Sequence, residues 1–279
     1  MKIVLSGAGG QLGQELLVTL RHHDLAAFDH RGLDITDRAM VDGVVAEERP
    51  AVIVNAAAWT AVDDCEGDPE RADRINGTAV GHLVAAAEPL GARVVQISTD
   101  YVFDGTLDRP YVETDRPGPM SAYGRSKLLG EQAVRPQDTV ARTSWVCGRH
   151  GPNMVKTILR LAESHPTLRF VDDQVGHPTM ADDLAAMVAT LVDDERPGLF
   201  HVTNQGAVSW FEFAREVLAA TGADPERVEP IATADLQPPR PAPRPANSVL
   251  ENAALEAARV PLLPDHREAL ERLVAQLTN

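Results

Sequence analysis

Tyr123 and Lys127, four residues apart in the run Ser121-Ala122-Tyr123-Gly124-Arg125-Ser126-Lys127, are the pair with the clearest chemical potential in this chain. In a helix, residues at that spacing lie one above the other on the same face. A phenol with its ordinary pKa of about 10 exchanges protons poorly at neutral pH. A nearby ammonium stabilises the phenolate and lowers that pKa, which would make the tyrosine a general acid/base. The competing reading is a packed ring beside a solvated charge. The surrounding elements decide between the two.

Directly after the apolar run Ile3-Val4-Leu5 comes Gly7-Ala8-Gly9-Gly10-Gln11-Leu12-Gly13, and Leu12, Leu16, Leu17 and Leu20 then repeat at helical spacing. A glycine run alone is a weak signal. At the first strand-to-helix turn of an alternating chain it points to dinucleotide binding. Gly7 allows the tight turn, Gly9 or Gly10 lets the backbone approach a pyrophosphate, and Gly13 lets the helix pack on the strand. The amides that open the helix then face the phosphates. At the end of the second apolar run, Asp29 can accept from the ribose 2′-hydroxyl of NAD, whereas Arg31 can pair with the 2′-phosphate of NADP. A charged turn without cofactor contact competes with both, and the choice between NADH and NADPH stays open.

The elements that must position these groups form an alternation. Strands are expected at 3–5, 25–29, 51–55, 93–99 and 139–144. Helices are expected from Leu12, from Thr36 as a cap through Glu48, over 68–90 with Gly91 closing the end, and over 121–134. Strands apolar throughout and separated by helices imply a parallel sheet covered on both faces. Beyond residue 150 the pattern is mixed, with helices over 153–164, 182–192, 210–221 and 266–277 and strands over 168–171 and 199–202. The proline-rich run from Gln237 to Pro245 reads as a loop or a polyproline linker internal to the fold. The expected class is α/β: a Rossmann-type doubly wound parallel sheet over 1–149, to which segments near 177–203 return. A smaller, discontinuous substrate-binding lobe occupies mainly 150–279.

The chain has 279 residues, 44% of them hydrophobic, which suffices for a sizeable core. Its 41 acidic against 26 basic residues, a net charge of −15, speak against nucleic acid as a general partner. Cys65 and Cys147 stand in no disulfide or metal-ligand spacing, and no compact carboxylate motif marks a metal site. The N-terminal apolar stretch is too short for a signal peptide, and no segment approaches the length of a membrane span. A cytoplasmic protein without a membrane partner is expected.

Gly7, Gly10 and Gly13 fit G-x-x-G-x-x-G, and together with Tyr123-x-x-x-Lys127 this pattern resembles the extended branch of the short-chain dehydrogenase/reductase superfamily. Five further runs narrow the resemblance: Asn55 to Asp63, Ile97 to Gly105, Ser121 to Glu131, Arg142 to Val146, and Asp173 to Thr179. Together they are similar to the dTDP-4-dehydrorhamnose reductase family over essentially the whole chain. The resemblance implies NAD(P)H-dependent reduction of the 4-keto group of dTDP-4-dehydro-L-rhamnose (dTDP-6-deoxy-L-lyxo-4-hexulose), giving dTDP-L-rhamnose for cell-surface polysaccharide biosynthesis.

The same resemblance implies roles for particular residues. Tyr123 would donate the proton, Lys127 would lower its pKa and hold the nicotinamide ribose, and Thr99 would hydrogen-bond the sugar oxygen and Tyr123. Besides Gly7, Gly10, Gly13, Asp29, Arg31, Tyr123 and Lys127, cofactor contacts are implied at Gln11, Leu12, Asp34, Ile35, Ala58, Trp59, Thr60 and Ser98. Substrate contacts are implied at Val62, Thr99, Asp100, Tyr101 and Trp145. Competing readings stand beside these. Thr36 and Asp37 can cap a helix, Thr99 can be a strand former with Ser98 as its rival, and Trp145 can be core. Arg240 and Arg244 meet the substrate pyrophosphate or are solvated loop arginines. Mg2+ and a homodimer are implied by resemblance only.

Dehydratases of the superfamily carry an Asp-Glu pair after the threonine. Here Tyr101 follows Asp100, so dehydration is disfavoured. The alternatives are another nucleotide-sugar 4-ketoreductase or epimerase, and a non-enzymatic subunit resembling the methionine adenosyltransferase β subunit. Intact Thr99, Tyr123 and Lys127 favour an enzyme.

Overall fold

The structure, a computed structural model, describes residues 1–278; Asn279, the last residue of the expected lobe, lies outside the described residues. The first half runs β1 (Lys2–Ser6), α1 (Gln11–Thr19), β2 (Asp24–Phe28), α2 (Arg38–Glu48), β3 (Val52–Asn55), α3 (Val62–Gly67), α4 (Pro69–Ala72), α5 (Ala79–Ala87), β4 (Arg93–Thr99), α6 (Ala122–Gln132) and β5 (Thr139–Thr143). The second runs β6 (Val146–Cys147), α7 (Met154–Ser164), β7 (Leu168–Val171), β8 (Val175–Gly176), β9 (Thr179–Met180), α8 (Ala181–Asp193), β10 (Gly198–His201), β11 (Val208–Ser209), α9 (Trp210–Ala220), β12 (Val228–Ile231), α10 (Ala253–Ala257) and α11 (His266–Thr278).

Six strands form one parallel sheet in the order β10-β5-β4-β3-β1-β2. The order in which strands are added reverses between β1 and β3, and a ligand crevice opens outside the strand ends at such a reversal. Alternate side chains feed the two faces. Ile3, Leu5, Val52 and Val54 pack on one side with Leu16 and Leu20 of α1 and Leu184 and Val188 of α8. Val4, Ile53 and Val94 pack on the other with Val41 and Val45 of α2 and Leu83 of α5. Burial on both faces explains why these strands read as unbroken apolar runs. A second core joins α7, α9 and α11 through Ile158, Phe213, Val217 and Leu270.

Several local expectations are corrected. Asp37, not Thr36, caps α2: its carboxylate accepts from the amides of Ala39 at 3.0 Å and Met40 at 3.1 Å. Thr36 instead donates its hydroxyl to Asp34 at 2.8 Å. The helical stretch ending at Gly91 is interrupted by a π-helical segment over Asp73–Thr78. That turn places Asn76 where its amide brackets Trp59, accepting from its N–H at 2.8 Å and donating to its carbonyl at 3.0 Å. Asn76 also donates to Ser126 of α6 at 3.0 Å, tying the loop after β3 to the Tyr/Lys helix. Nor is the proline-rich run a linker. Ala242 is 1% exposed and donates its N–H to Asp63 at 3.1 Å, so the segment docks against α3. Among the described residues, no helix is long and apolar enough to cross a membrane.

Candidate active site

Two cavities open outside the carboxyl ends of β1, β3, β4 and β5. One, about 640 Å3, is lined by the glycine turn, by Asp29 to Arg31, by Asp34 and Ile35, and by Arg71 and Arg74. The other, about 580 Å3, holds Thr99, Asp100, Tyr101, Tyr123, Lys127 and Trp145. Both touch Gly9, Gly10 and Ala56 to Ala58, so they form one trough from the second strand to the Tyr/Lys helix.

The glycine turn has the geometry a dinucleotide needs. Gly7 has φ +76°, and a Cβ there would lie 2.5 Å from the Ala57 nitrogen. A Cβ on Gly13 would lie 2.1 Å from the Gly7 carbonyl oxygen, so only glycine allows α1 this close to the turn. Gly10 caps α1 without a side-chain hydrogen bond, leaving its first amides open toward the trough. At the outer end Asp29 lines the cavity, but one of its oxygens already accepts from the amides of Arg31 at 2.9 Å and Gly32 at 3.0 Å. Asp34 is likewise engaged by Thr36. Gln11 bridges outward, donating to the Val146 carbonyl at 2.9 Å and accepting from Asn153 at 2.8 Å. Leu12, Ala58, Thr60 and Val62 line the trough, as does Trp59, with Arg71 over its ring at 4.3 Å.

Tyr123 and Lys127 are carried on one face of α6, 9% and 3% exposed. Ser121 caps that helix by accepting from the Gly124 amide at 3.1 Å. Gly124 meets the Tyr101 carbonyl so closely that a Cβ would lie 2.1 Å from its oxygen, which seats the helix against the end of β4. Burial raises the Tyr123 phenol above its ordinary value, and the Thr99 side chain opposes this by hydrogen bonding. On the same face the Lys127 ammonium donates to the Ile97 carbonyl at 2.6 Å. Burial pulls the Lys127 ammonium down to about 8, while the charge of Glu131 pushes it up.

Ser98 lines the cavity, its hydroxyl donating to Glu131 at 2.5 Å. Arg142 grips the same carboxylate with two hydrogen bonds of 2.9 and 2.7 Å. Tyr101 packs edge-on to Tyr123, its ring centroid 5.8 Å away. Trp145 is half-buried, in the left-handed region at φ +44°, and faces the cavity while stacking on Trp210 at 3.5 Å. It is thus both cavity wall and packed aromatic.

Asp100 is 2% exposed; it accepts from the Thr99 hydroxyl at 2.8 Å, and its Oδ2 has no partner among the described residues. Burial pushes its carboxyl up to about 6, from an ordinary 3.8. Protonation of Asp100 therefore contributes stability that is fully present below pH ~4 and is lost as pH rises through about 6. Asp100→Asn should cancel this component. Between pH 4 and 7 the variant's unfolding free energy should gain roughly 3 kcal/mol relative to wild type, measured by urea denaturation. Parallel pH profiles for the two proteins would refute the assignment.

Sequence reasoning missed Trp210, Arg74 and the pairing of Asp63 with Arg244. Arg244 holds Asp63 through bonds of 2.6 and 2.8 Å and is electrostatically coupled to Tyr101, while Arg240 reaches Asp63 only at 3.5 Å. Nothing in the spacing joins residues 181 positions apart. A tryptophan immediately after the helix-capping Ser209 was the one available hint for Trp210.

The family model described as the RmlD substrate binding domain matches residues 1–279. A dTDP-4-dehydrorhamnose reductase from Streptomyces griseus is 44% identical over 96% of this chain and 91% of that protein. A solved dTDP-4-dehydrorhamnose reductase from Clostridium acetobutylicum superposes with a TM-score of 0.96 at 42% identity, covering 100% of both chains. Another, from Bacillus anthracis in complex with NADP, superposes with a TM-score of 0.94 at 36% identity, over 99% of this chain and 100% of that one.

Proposed function

The chain belongs to the RmlD substrate binding domain family, and from that premise we propose that it is a dTDP-4-dehydrorhamnose reductase. It reduces the 4-keto group of dTDP-4-dehydro-L-rhamnose to give dTDP-L-rhamnose, using NADPH or NADH. The observation that carries this is a single trough with an open glycine turn along one part and Thr99, Tyr123 and Lys127 along the other.

The residues around the turn fit a dinucleotide, because Gly7 and Gly13 let the turn and α1 pack tightly and no side chain caps the first amides of α1. Held by the glycine turn and Lys127, a reduced nicotinamide would supply the hydride for the carbonyl carbon. Tyr123 gives its phenolic proton to the oxygen that becomes the hydroxyl. Burial keeps that phenol protonated at neutral pH, which suits a donor. Thr99 fixes the phenol from one side. Lys127, charged below about pH 8, holds the nicotinamide ribose. Trp145 and Trp210 wall the sugar, and Arg244, steadied by Asp63, meets the diphosphate. In this reading residues 1–149 with 177–203 hold the cofactor, and the remainder of 150–279 encloses the sugar nucleotide.

The purified protein is expected to oxidise NADPH or NADH only when the 4-keto sugar nucleotide is added, followed by absorbance of the reduced cofactor. No substrate-dependent oxidation with either cofactor would sink the reductase assignment.

A further inference from the structure

Outside the trough, three metal-ligating side chains converge. His22 and His23 lie in the turn between α1 and β2, and Asp193 is the last residue of α8. His22 Nε2 stands 3.2 Å from Asp193 Oδ2, and His23 Nε2 stands 2.6 Å from Oδ1. One ligand atom from each of the three lies within 4.8 Å of the others. The turn is what makes this possible. Neighbouring residues on a continuing helix would point apart, whereas here the two rings lie side by side with centroids 4.0 Å apart.

We propose that His22, His23 and Asp193 bind one divalent transition-metal ion, with Zn2+ as the ion that fits. Two imidazole nitrogens and one carboxylate suit zinc and disfavour Mg2+ or Ca2+, which take oxygen ligands. Bonds of about 2.0–2.1 Å at tetrahedral angles put ligand atoms roughly 3.3 Å apart. His22 faces Oδ2 near that separation and His23 faces Oδ1 at 2.6 Å, so a rotation of the half-exposed carboxylate brings one oxygen to an ion between the two rings. The His23 side chain is only 8% exposed and so holds a fixed ring, while His22 and Asp193, 52% and 40% exposed, leave room for water as a fourth ligand. The site sits at the opposite end of α1 from the glycine turn. An ion there would clamp the end of α1 to the end of α8, two helices that pack together on one face of the sheet. It takes no part in the reduction.

The test uses the full chain after chelator treatment. Zinc is titrated in competition with a fluorescent zinc indicator, and Tm is followed in parallel. Wild type should take up about one tight equivalent, and Tm should rise by roughly 5 °C at a hundredfold excess over Kd. His22→Ala and Asp193→Asn alter half-exposed side chains and should fold, with cofactor binding unchanged as the check. Each should lose at least tenfold in zinc affinity and the Tm rise, and Mg2+ should give no rise in any of the proteins. Equal zinc affinity in wild type and both variants, or no wild-type binding tighter than about 100 μM, would overturn the site.

Discussion

Tyr123→Phe is expected to lower kcat by roughly 10²–10⁴-fold while leaving dinucleotide binding intact. The phenol lines the trough with Thr99, on the same helix face as Lys127, and burial keeps it protonated at neutral pH. Its ring is packed against Tyr101, so the phenylalanine keeps the shape of the wall and loses only the hydroxyl. The surrounding cofactor groups, the glycine turn and Lys127, are untouched by the change. The effect should therefore fall on kcat at saturating substrate, with the Kd for NADPH, read by fluorescence titration, within about threefold of wild type. A kcat within threefold of wild type would remove Tyr123 from the chemical step. A variant that no longer binds NADPH would assign the residue a structural role instead.

Glu131→Gln is expected to cost about 3 kcal/mol of stability and to shift the pH–rate profile. Glu131 and Arg142 form a buried pair, with side chains 8% and 3% exposed. Removing one charge of such a pair leaves the other buried without compensation, a penalty of roughly 3–5 kcal/mol. Glutamine retains part of the hydrogen bonding, which places the expectation near the lower end, or roughly 5 °C in Tm. The same charge is the one that raises the Lys127 pKa against burial. With it gone, the ammonium titrates below the wild-type value of about 8. The sign follows directly: Lys127 serves the cofactor as a cation, so the alkaline limb of kcat/KM lies near pH 8 in wild type and moves to lower pH in the variant. Thermal melts and a pH–rate series read the two effects separately. An unchanged Tm would contradict the buried-pair argument, and an unmoved alkaline limb would contradict the coupling to Lys127.

The glycine turn and the Tyr/Lys spacing are visible in the chain because each is a local pattern. A tight turn needs glycine at a fixed offset, and a helix face needs period-four spacing. The cap at Asp37 was displaced by one residue because Thr36 and Asp37 both have capping side chains, and only the Thr36–Asp34 hydrogen bond decides between them. The proline-rich run looked like a linker because composition reports backbone stiffness, not docking. Its attachment comes from Asp63, far away in the chain. The histidine pair at 22 and 23 carried no recognisable ligand spacing, and its third donor arrives only because α8 packs against α1.

Local order therefore determined the strand-and-helix alternation, the dinucleotide turn, the face shared by Tyr123 and Lys127, and the strand end that carries Thr99. Burial and long-range pairing decided the rest. The fold raises the Tyr123 phenol where spacing suggested a lowering, because burial penalises the phenolate. It commits Ser98 to Glu131, sets Trp210 against Trp145 and brings Arg244 to Tyr101. Spacing along a chain says which side chains share a face. The charge state and the partners of those side chains depend on what the rest of the chain packs over them, and that is a property of the tertiary structure alone.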